Sequence, residues 1–256
     1  MEVIILEDAD EVSQVAASIV ADIINAQPRA VLGLATGSSP RGLYRELCSR
    51  VQAGEISFAQ ASGFALDEYV GLPREHPESY ASVIAREIVG PLGFDPHHVH
   101  VPDGRAANLA AAAQEYDDAI RAAGGIDVQI LGIGTNGHLG FNEPTSSFAS
   151  RTRIKTLAPQ TRKDNARFFD SLEDVPTHCV TQGIGTILDA RALVLVAQGD
   201  TKAASVADAI EGPVTSFVPA SALQLHRHAT VVIDVAAASR LQLAAYYRHT
   251  YPNKII

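Results

Sequence analysis

The sequence predicts an α/β fold. We expect a single domain over residues 1–256, built on an open, mostly parallel sheet with helices on both faces, Rossmann-like in layout. Three observations predict it. Short apolar, β-rich runs alternate with amphipathic runs along the whole chain, the pattern of successive βα units. The apolar share of 46% can bury a sizeable core. No repeat, low-complexity tract or Pro/Ser-rich linker divides the chain.

The elements follow in order. Residues 3–6 read as a strand. Asp8 then begins a helix, with Glu11 three residues on completing a capping-box pattern. Val12, Val15, Ala16, Ile19 and Ile23 keep helical spacing. Residues 30–35 are an apolar run that stops at Thr36-Gly37-Ser38-Ser39, and Pro40 stands where a first helical turn begins. Residues 63–66 form a strand ending at Asp67. The Ala-rich stretch 106–123 is helical. Residues 126–133 form a buried strand ending at Gly134. Residues 192–197 and 230–235 are two more strands, each followed by a helix-like segment.

Composition excludes several classes. The net charge is −9 and no basic cluster is visible, so a nucleic-acid partner is not expected. No apolar run nears the roughly 20 residues that span a bilayer. The first ten residues lack a basic region and a cleavage site, and so do not read as a secretory signal. Cys48 and Cys179 stand far apart, which suggests a reducing compartment and a cytoplasmic protein. An anionic ligand would need a few locally placed cations.

In open parallel sheets ligands bind beyond the carboxyl ends of the strands, so the loops there are where chemistry is sought. Gly37, Ser38 and Ser39 offer amides and hydroxyls at a helix start, an anion site or a plain N-cap. Asp67 and Glu68 follow an apolar strand directly, and strand alternation points them to opposite sides. One can face a cleft as a base while the other caps or pairs. The glycine-dense loop 131–144 carries His138 and Glu143, both able to move protons near neutral pH. Asn136 in the same loop can orient the imidazole or bond a substrate hydroxyl.

These segments, read together, resemble the glucosamine-6-phosphate deaminase family. The resemblance lies in Thr36-Gly37-Ser38-Ser39-Pro40, Leu66-Asp67-Glu68-Tyr69-Val70-Gly71-Leu72, Gly132-Ile133-Gly134-Thr135-Asn136-Gly137-His138 and Phe141-Asn142-Glu143-Pro144. It continues through Ser150-Arg151-Thr152-Arg153-Ile154-Lys155-Thr156, Thr161-Arg162, Asn165-Ala166-Arg167-Phe168-Phe169, Gly199-Asp200-Thr201-Lys202-Ala203 and Ser221-Ala222-Leu223-Gln224-Leu225-His226. The order is collinear and covers nearly the whole chain.

The resemblance implies that an amino-sugar phosphate is isomerised and deaminated to a ketose phosphate and ammonium. His138 would assist ring opening, with Glu143 tuning it, and Asp67 would carry the proton from carbon 2 to carbon 1. Ser38 and Ser39, with Gly37, Arg167 and Lys202, would hold the phosphate. No metal or organic cofactor is implied, since the neighbouring carbonyl acidifies the carbon. The best-known members have Asp where this chain has Asn136, which implies a different pH response. Ser146, Arg153 and Lys155 match a strip that receives an allosteric amino-sugar phosphate at a subunit boundary in some members. The oligomeric state stays open, a homo-oligomer among the alternatives.

Other readings stand beside these. His97, His98 and His100 read as surface histidines rather than metal ligands, and His226 and His228 as structural. Arg162 and Lys163 read as a solvated helix face, and Arg151, Arg153 and Lys155 as a solvated strand. The competing functions are a phosphosugar sensor without catalysis and a sister enzyme for galactosamine 6-phosphate or 6-phosphogluconolactone.

Overall fold

A strand needs ladder partners for its amides, whereas a helix satisfies its own, so the apolar runs must find one another. In the computed structural model, which describes residues 1–253, they form strands β1 (Glu2–Leu6), β2 (Val31–Leu34), β3 (Ser62–Ala65), β4 (Asp67–Tyr69), β5 (Val99–His100), β6 (Val128–Leu131), β7 (Arg153–Thr156), β8 (His178–Thr181), β9 (Ala192–Ala197) and β10 (Ala229–Asp234).

Seven of these build one parallel sheet in the order β1-β10-β9-β6-β2-β3-β5. Every residue of β2 and β6 is buried, as expected of strands covered on both faces. The chain winds outward from β2 through β3 to β5, then returns to β6, β9 and β10. Neighbours β2 and β6 therefore send their connections in opposite directions. Such a switch point leaves a crevice beyond the strands' carboxyl ends.

The first helix, Ala9–Ala26, starts as its sequence predicts. Asp8 Oδ1 accepts from the amides of Asp10 and Glu11, each at 2.9 Å. Glu11, however, reaches back to the Glu7 amide (3.1 Å) rather than to that of Asp8. Its buried face is Val12, Ala16, Ala17, Val20, Ala21 and Ile24, while Val15, Ile19 and Ile23 lie at the margin of the core.

Strands β4, β8 and β7 form a separate antiparallel sheet in that order. The chain leaves the parallel sheet at Leu66. The Leu66 amide still donates to the Leu34 carbonyl (2.9 Å), but its own carbonyl accepts from the Gln182 amide (2.7 Å). The strand expected to run to Leu66 thus stops at Ala65, and Asp67 opens β4 instead. Tyr69, Phe141, Leu157 and Cys179 make a small core for this sheet. Among the described residues no helix is long and apolar enough to cross a membrane.

Candidate active site

The crevice at the switch point is a cavity of about 150 Å³. It is lined by the loops after β2 and β6, by Asp67 and Tyr80, by residues of the 161–167 segment and by Lys202.

Strand β4 sends its two acids to opposite faces. Glu68 turns away from the cavity. Its Oε1 accepts from the amides of Tyr69 (2.8 Å) and Tyr80 (2.9 Å), and its Oε2 from that of Ala81 (2.9 Å), so it caps the start of helix Tyr80–Ile84. Burial raises its carboxyl above the usual value, but those three amides pull the other way. Asp67 faces the cavity and is 5% exposed. Burial and the neighbouring charge of Glu68 push its carboxyl up to about 8, and the Phe141 amide offsets this only in part. Gly140 keeps space beside it: at φ 55° it has no side chain, and a Cβ there would lie 3.1 Å from both Asp67 Oδ2 and Thr181 Oγ1.

The β6 loop carries the second titratable group. His138 Nδ1 lies 2.7 Å from Asn136 Oδ1, which can only accept. Nδ1 therefore carries the proton, and Nε2 keeps its lone pair. Asn136 Nδ2 donates to Glu143 Oε2 (2.8 Å), and Glu143 Oε1 accepts from the Ala158 amide (3.1 Å). Glu143 Oε2 stands 3.8 Å from the imidazole, so it acts on the ring mainly through Asn136. Burial lowers the His138 pKa; Glu143 and Asp164 oppose that fall, and Lys202 adds to it. The imidazole is thus held neutral with a free acceptor nitrogen. It packs over Gly134, where any Cβ would collide with the ring.

The anion-binding groups expected from the sequence line the same cavity. Helix Arg41–Gln52 begins after Pro40 with no side-chain cap, which leaves amides free near Gly37, Ser38 and Ser39. Arg167 donates from Nη2 to Ser38 Oγ (3.4 Å) and lies over the Phe168 ring at 4.7 Å. Lys202 Nζ donates to the Ile133 carbonyl (2.7 Å), and burial lowers its pKa against the pull of Asp164.

Other expected residues lie elsewhere. Ser146 is buried, and its hydroxyl donates to the Glu143 carbonyl (2.7 Å). Arg153 donates to Asn142 Oδ1 (2.8 Å), and Lys155 is half-buried on β7. None of the three lines the cavity, and Ser146 and Arg153 bond to the 142–143 segment. Arg162 corrects its expected place on a solvated face: it donates to the carbonyls of Leu172 and Val175, each at 2.8 Å, because its long stem lets it close a loop. His100 stacks on Phe64 with centroids 4.6 Å apart, and His226 Nε2 lies 2.8 Å from the Ala190 carbonyl. Sequence reasoning quoted Thr161 only within a motif and did not single out Tyr80 or Asp164; all three also line the cavity. A polar residue inside a basic helical stretch carries no local signal of the cavity it faces.

Fold and site define a class: an α/β enzyme of the open-sheet type, with a cleft suited to proton transfer on a small anionic molecule. The chain matches the family described as glucosamine-6-phosphate isomerases/6-phosphogluconolactonase over residues 7–232, and it belongs to that family. A glucosamine-6-phosphate deaminase from Pseudarthrobacter chlorophenolicus is 58% identical over 254 residues, covering 99% of this chain and 98% of that protein. One from Streptomyces coelicolor is 57% identical over 255 residues, with 99% and 98% covered. Among solved structures, a monomeric glucosamine-6-phosphate deaminase superposes with a TM-score of 0.92 at 43% identity, covering 94% of this chain and 100% of that one. A 6-phosphogluconolactonase from Leishmania guyanensis shares the fold at a TM-score of 0.72 and 22% identity, with 93% and 97% covered.

Proposed function

We propose that this chain converts glucosamine 6-phosphate to fructose 6-phosphate and ammonium, a step of amino-sugar catabolism in the cytoplasm. One observation carries the proposal. A carboxyl raised toward neutrality and a neutral imidazole line one cavity, together with Arg167 and Lys202.

The substrate enters as a closed ring with its phosphate against the Ser38–Ser39 amides, Arg167 and Lys202. Arginine can fork to two phosphate oxygens, and lysine acts as a point charge. His138 Nε2 moves a proton between the sugar hydroxyl and the ring oxygen, and the chain opens to an aldehyde. That carbonyl acidifies carbon 2. Asp67 takes the carbon 2 proton, and the C–H pair becomes the carbon 1–carbon 2 double bond. The carbonyl pair moves to O1, which takes a proton from the substrate's ammonium to give the enolamine; the same carboxyl then returns the proton to carbon 1. The resulting carbon 2 imine adds water and releases ammonium. A carboxyl poised near neutrality suits this shuttle, because a base works best with a pKa close to the operating pH. The scheme needs no metal or organic cofactor, and every residue it names belongs to one chain.

The test is product analysis with a small substrate panel. Ammonium release from glucosamine 6-phosphate should exceed that from galactosamine 6-phosphate, and 6-phosphogluconolactone should not be hydrolysed above its spontaneous rate. Enzymatic hydrolysis of the lactone without ammonium release from either amino sugar would overturn the proposal.

A further inference from the structure

We infer that Asp164 sets the charge selectivity of the cavity, favouring a phosphosugar that carries an ammonium group over one of the same shape that does not. The inference rests on reading the cavity as a phosphosugar site.

Asp164 lies near the end of helix Pro159–Asn165 and lines the same cavity as Arg167 and Lys202. Two hydrogen bonds fix its carboxylate. Thr135 Oγ1 donates to Oδ2 (3.2 Å), tying the helix to the loop that bears His138, and Gln160 Nε2 donates to Oδ1 (2.8 Å). A carboxylate on the wall of an anion pocket is unexpected, because it repels the phosphate that the pocket must hold. Its charge is not spent on a close ion pair with the phosphate ligands either. Lys202 directs its ammonium to the Ile133 carbonyl, and Arg167 directs its guanidinium to Ser38. Its field nonetheless reaches into the site, where it supports the protonated forms of both Lys202 and His138.

The consequence follows from the charges of the two ends of the reaction. The amino-sugar phosphate carries a cationic ammonium beside its phosphate, and the ketose phosphate product does not. Both are repelled by Asp164 through the phosphate, but only the amino sugar recovers part of that cost through its ammonium. Asp164 therefore weakens product and free phosphate more than substrate, and it helps the site empty after turnover. A unit charge several ångströms away, at a dielectric between protein and water, alters relative affinity by about three- to tenfold.

Equilibrium binding tests this without catalysis. The probes are 2-amino-2-deoxyglucitol 6-phosphate and glucitol 6-phosphate, open-chain and unreactive, which differ only at carbon 2. The wild type should prefer the amine. Asp164→Asn, which keeps an acceptor for Thr135, should shrink that preference by about three- to tenfold and tighten inorganic phosphate. Added salt should narrow the wild-type preference. Thr135→Val removes the hydrogen bond but not the charge, and should keep the wild-type ratio. An unchanged ratio in Asp164→Asn, or a Thr135→Val variant that mimics it, would overturn the inference and leave Asp164 a structural tether. Failure of the wild type to bind either probe would instead overturn the phosphosugar reading itself, and this inference with it.

Discussion

The two sheets supply different parts of the site. The seven-stranded sheet ends in loops whose groups line the cavity and would hold the phosphate in the proposed reaction: the amides and hydroxyls after β2, and Lys202 after β9. The three-stranded sheet supplies Asp67 on β4, and its β8 contributes Thr181, which accepts from the Phe141 amide beside that carboxyl (3.2 Å). Holding groups stand on loops open to the cavity. The carboxyl proposed to react stands on a strand, at the cavity wall beside Gly140 and Thr181, where desolvation raises its pKa to about 8. The difference teaches that binding and proton transfer ask for opposite environments. A phosphate wants charged, accessible partners, whereas a base needs a site dry enough to move its pKa. Within β4 the same contrast recurs over one residue step, since Glu68 receives three amides and Asp67 faces the cavity.

The largest expected effect breaks this contrast at its centre. Asp67→Asn keeps the shape but cannot accept the carbon 2 proton, so turnover should fall ~100- to 10,000-fold while phosphosugar binding survives. Stability should move the other way. The carboxyl titrates near 3.8 in its ordinary state and near 8 in the folded protein, so the native state holds a proton that the unfolded chain has already released. Its contribution is full below the lower value and is lost as pH rises through the upper one. Asn has no proton to lose, so above pH 8 the variant should be more stable than wild type by on the order of a few kcal/mol, with the gain vanishing at acid pH. Urea unfolding across that range reads the sign directly.

On the binding side, Lys202→Ala should raise the Michaelis constant by about ten- to a hundredfold with a smaller loss of kcat, as expected for a charge-assisted bond worth about 1.5–3 kcal/mol. Arg167→Ala should do the same at the lower end of that range, because its guanidinium is exposed. A variant that kept its Michaelis constant and lost only turnover would move that residue from holding to chemistry.

Glu68→Gln sharpens the comparison within β4. One carboxylate oxygen becomes an amide NH2 group, a donor facing the backbone amides that the carboxylate accepts from, so the cap on helix Tyr80–Ile84 is lost in part. Unfolding free energy should drop by about 1–3 kcal/mol, with turnover reduced far less than in Asp67→Asn. Removal of the Glu68 charge should also draw the Asp67 pKa downward. Equal losses of turnover in the two variants would end the division between a reacting and a capping acid.

The smallest effect concerns Asn136. In Asn136→Asp a second carboxylate would stand where the amide now donates to Glu143 at 2.8 Å. The pair must share a proton or hold an imidazolium, and either raises the His138 pKa. The expected result is a pH profile whose acid limb moves to higher pH, with the maximal rate changed by only about a few-fold. An unshifted limb would mean that Glu143 governs the ring without Asn136.

Much of this was legible in the residues, for physical reasons that also explain what was not. The parallel strands announce themselves because burial on both faces leaves unbroken apolar runs such as 30–35 and 126–133. Strand β4 is three polar or aromatic residues, and β8 is four residues that open on an exposed His178, so neither has a period to detect. Alternation along β4 separates Asp67 from Glu68 but not which of them meets the cavity. That depends on where helix Tyr80–Ile84 lays its amides. The roles of Arg167 and Lys202 rest on resemblance, because a lone cation in an amphipathic stretch looks like any solvated one. Asp164 was invisible for the same reason, being one acid between Lys163 and Asn165 whose partner Thr135 arrives from a distant loop.

The central claim is that Asp67 is the proton carrier between carbons 1 and 2, and that His138 serves ring opening alone. Solvent-deuterium exchange at carbon 1 of fructose 6-phosphate tests it most directly. The open ketose needs no ring opening once bound, and the sugar has no ammonium group to titrate in the same range. Exchange should rise with pH to a plateau with a midpoint near 8 in the wild type, as the raised Asp67 carboxyl ionises. It should disappear in Asp67→Asn and persist in His138→Gln, even though the latter no longer deaminates ring-form glucosamine 6-phosphate at an appreciable rate. Exchange that survives in Asp67→Asn, or that falls equally with deamination in His138→Gln, would contradict the account and point to a single relay shared by both groups.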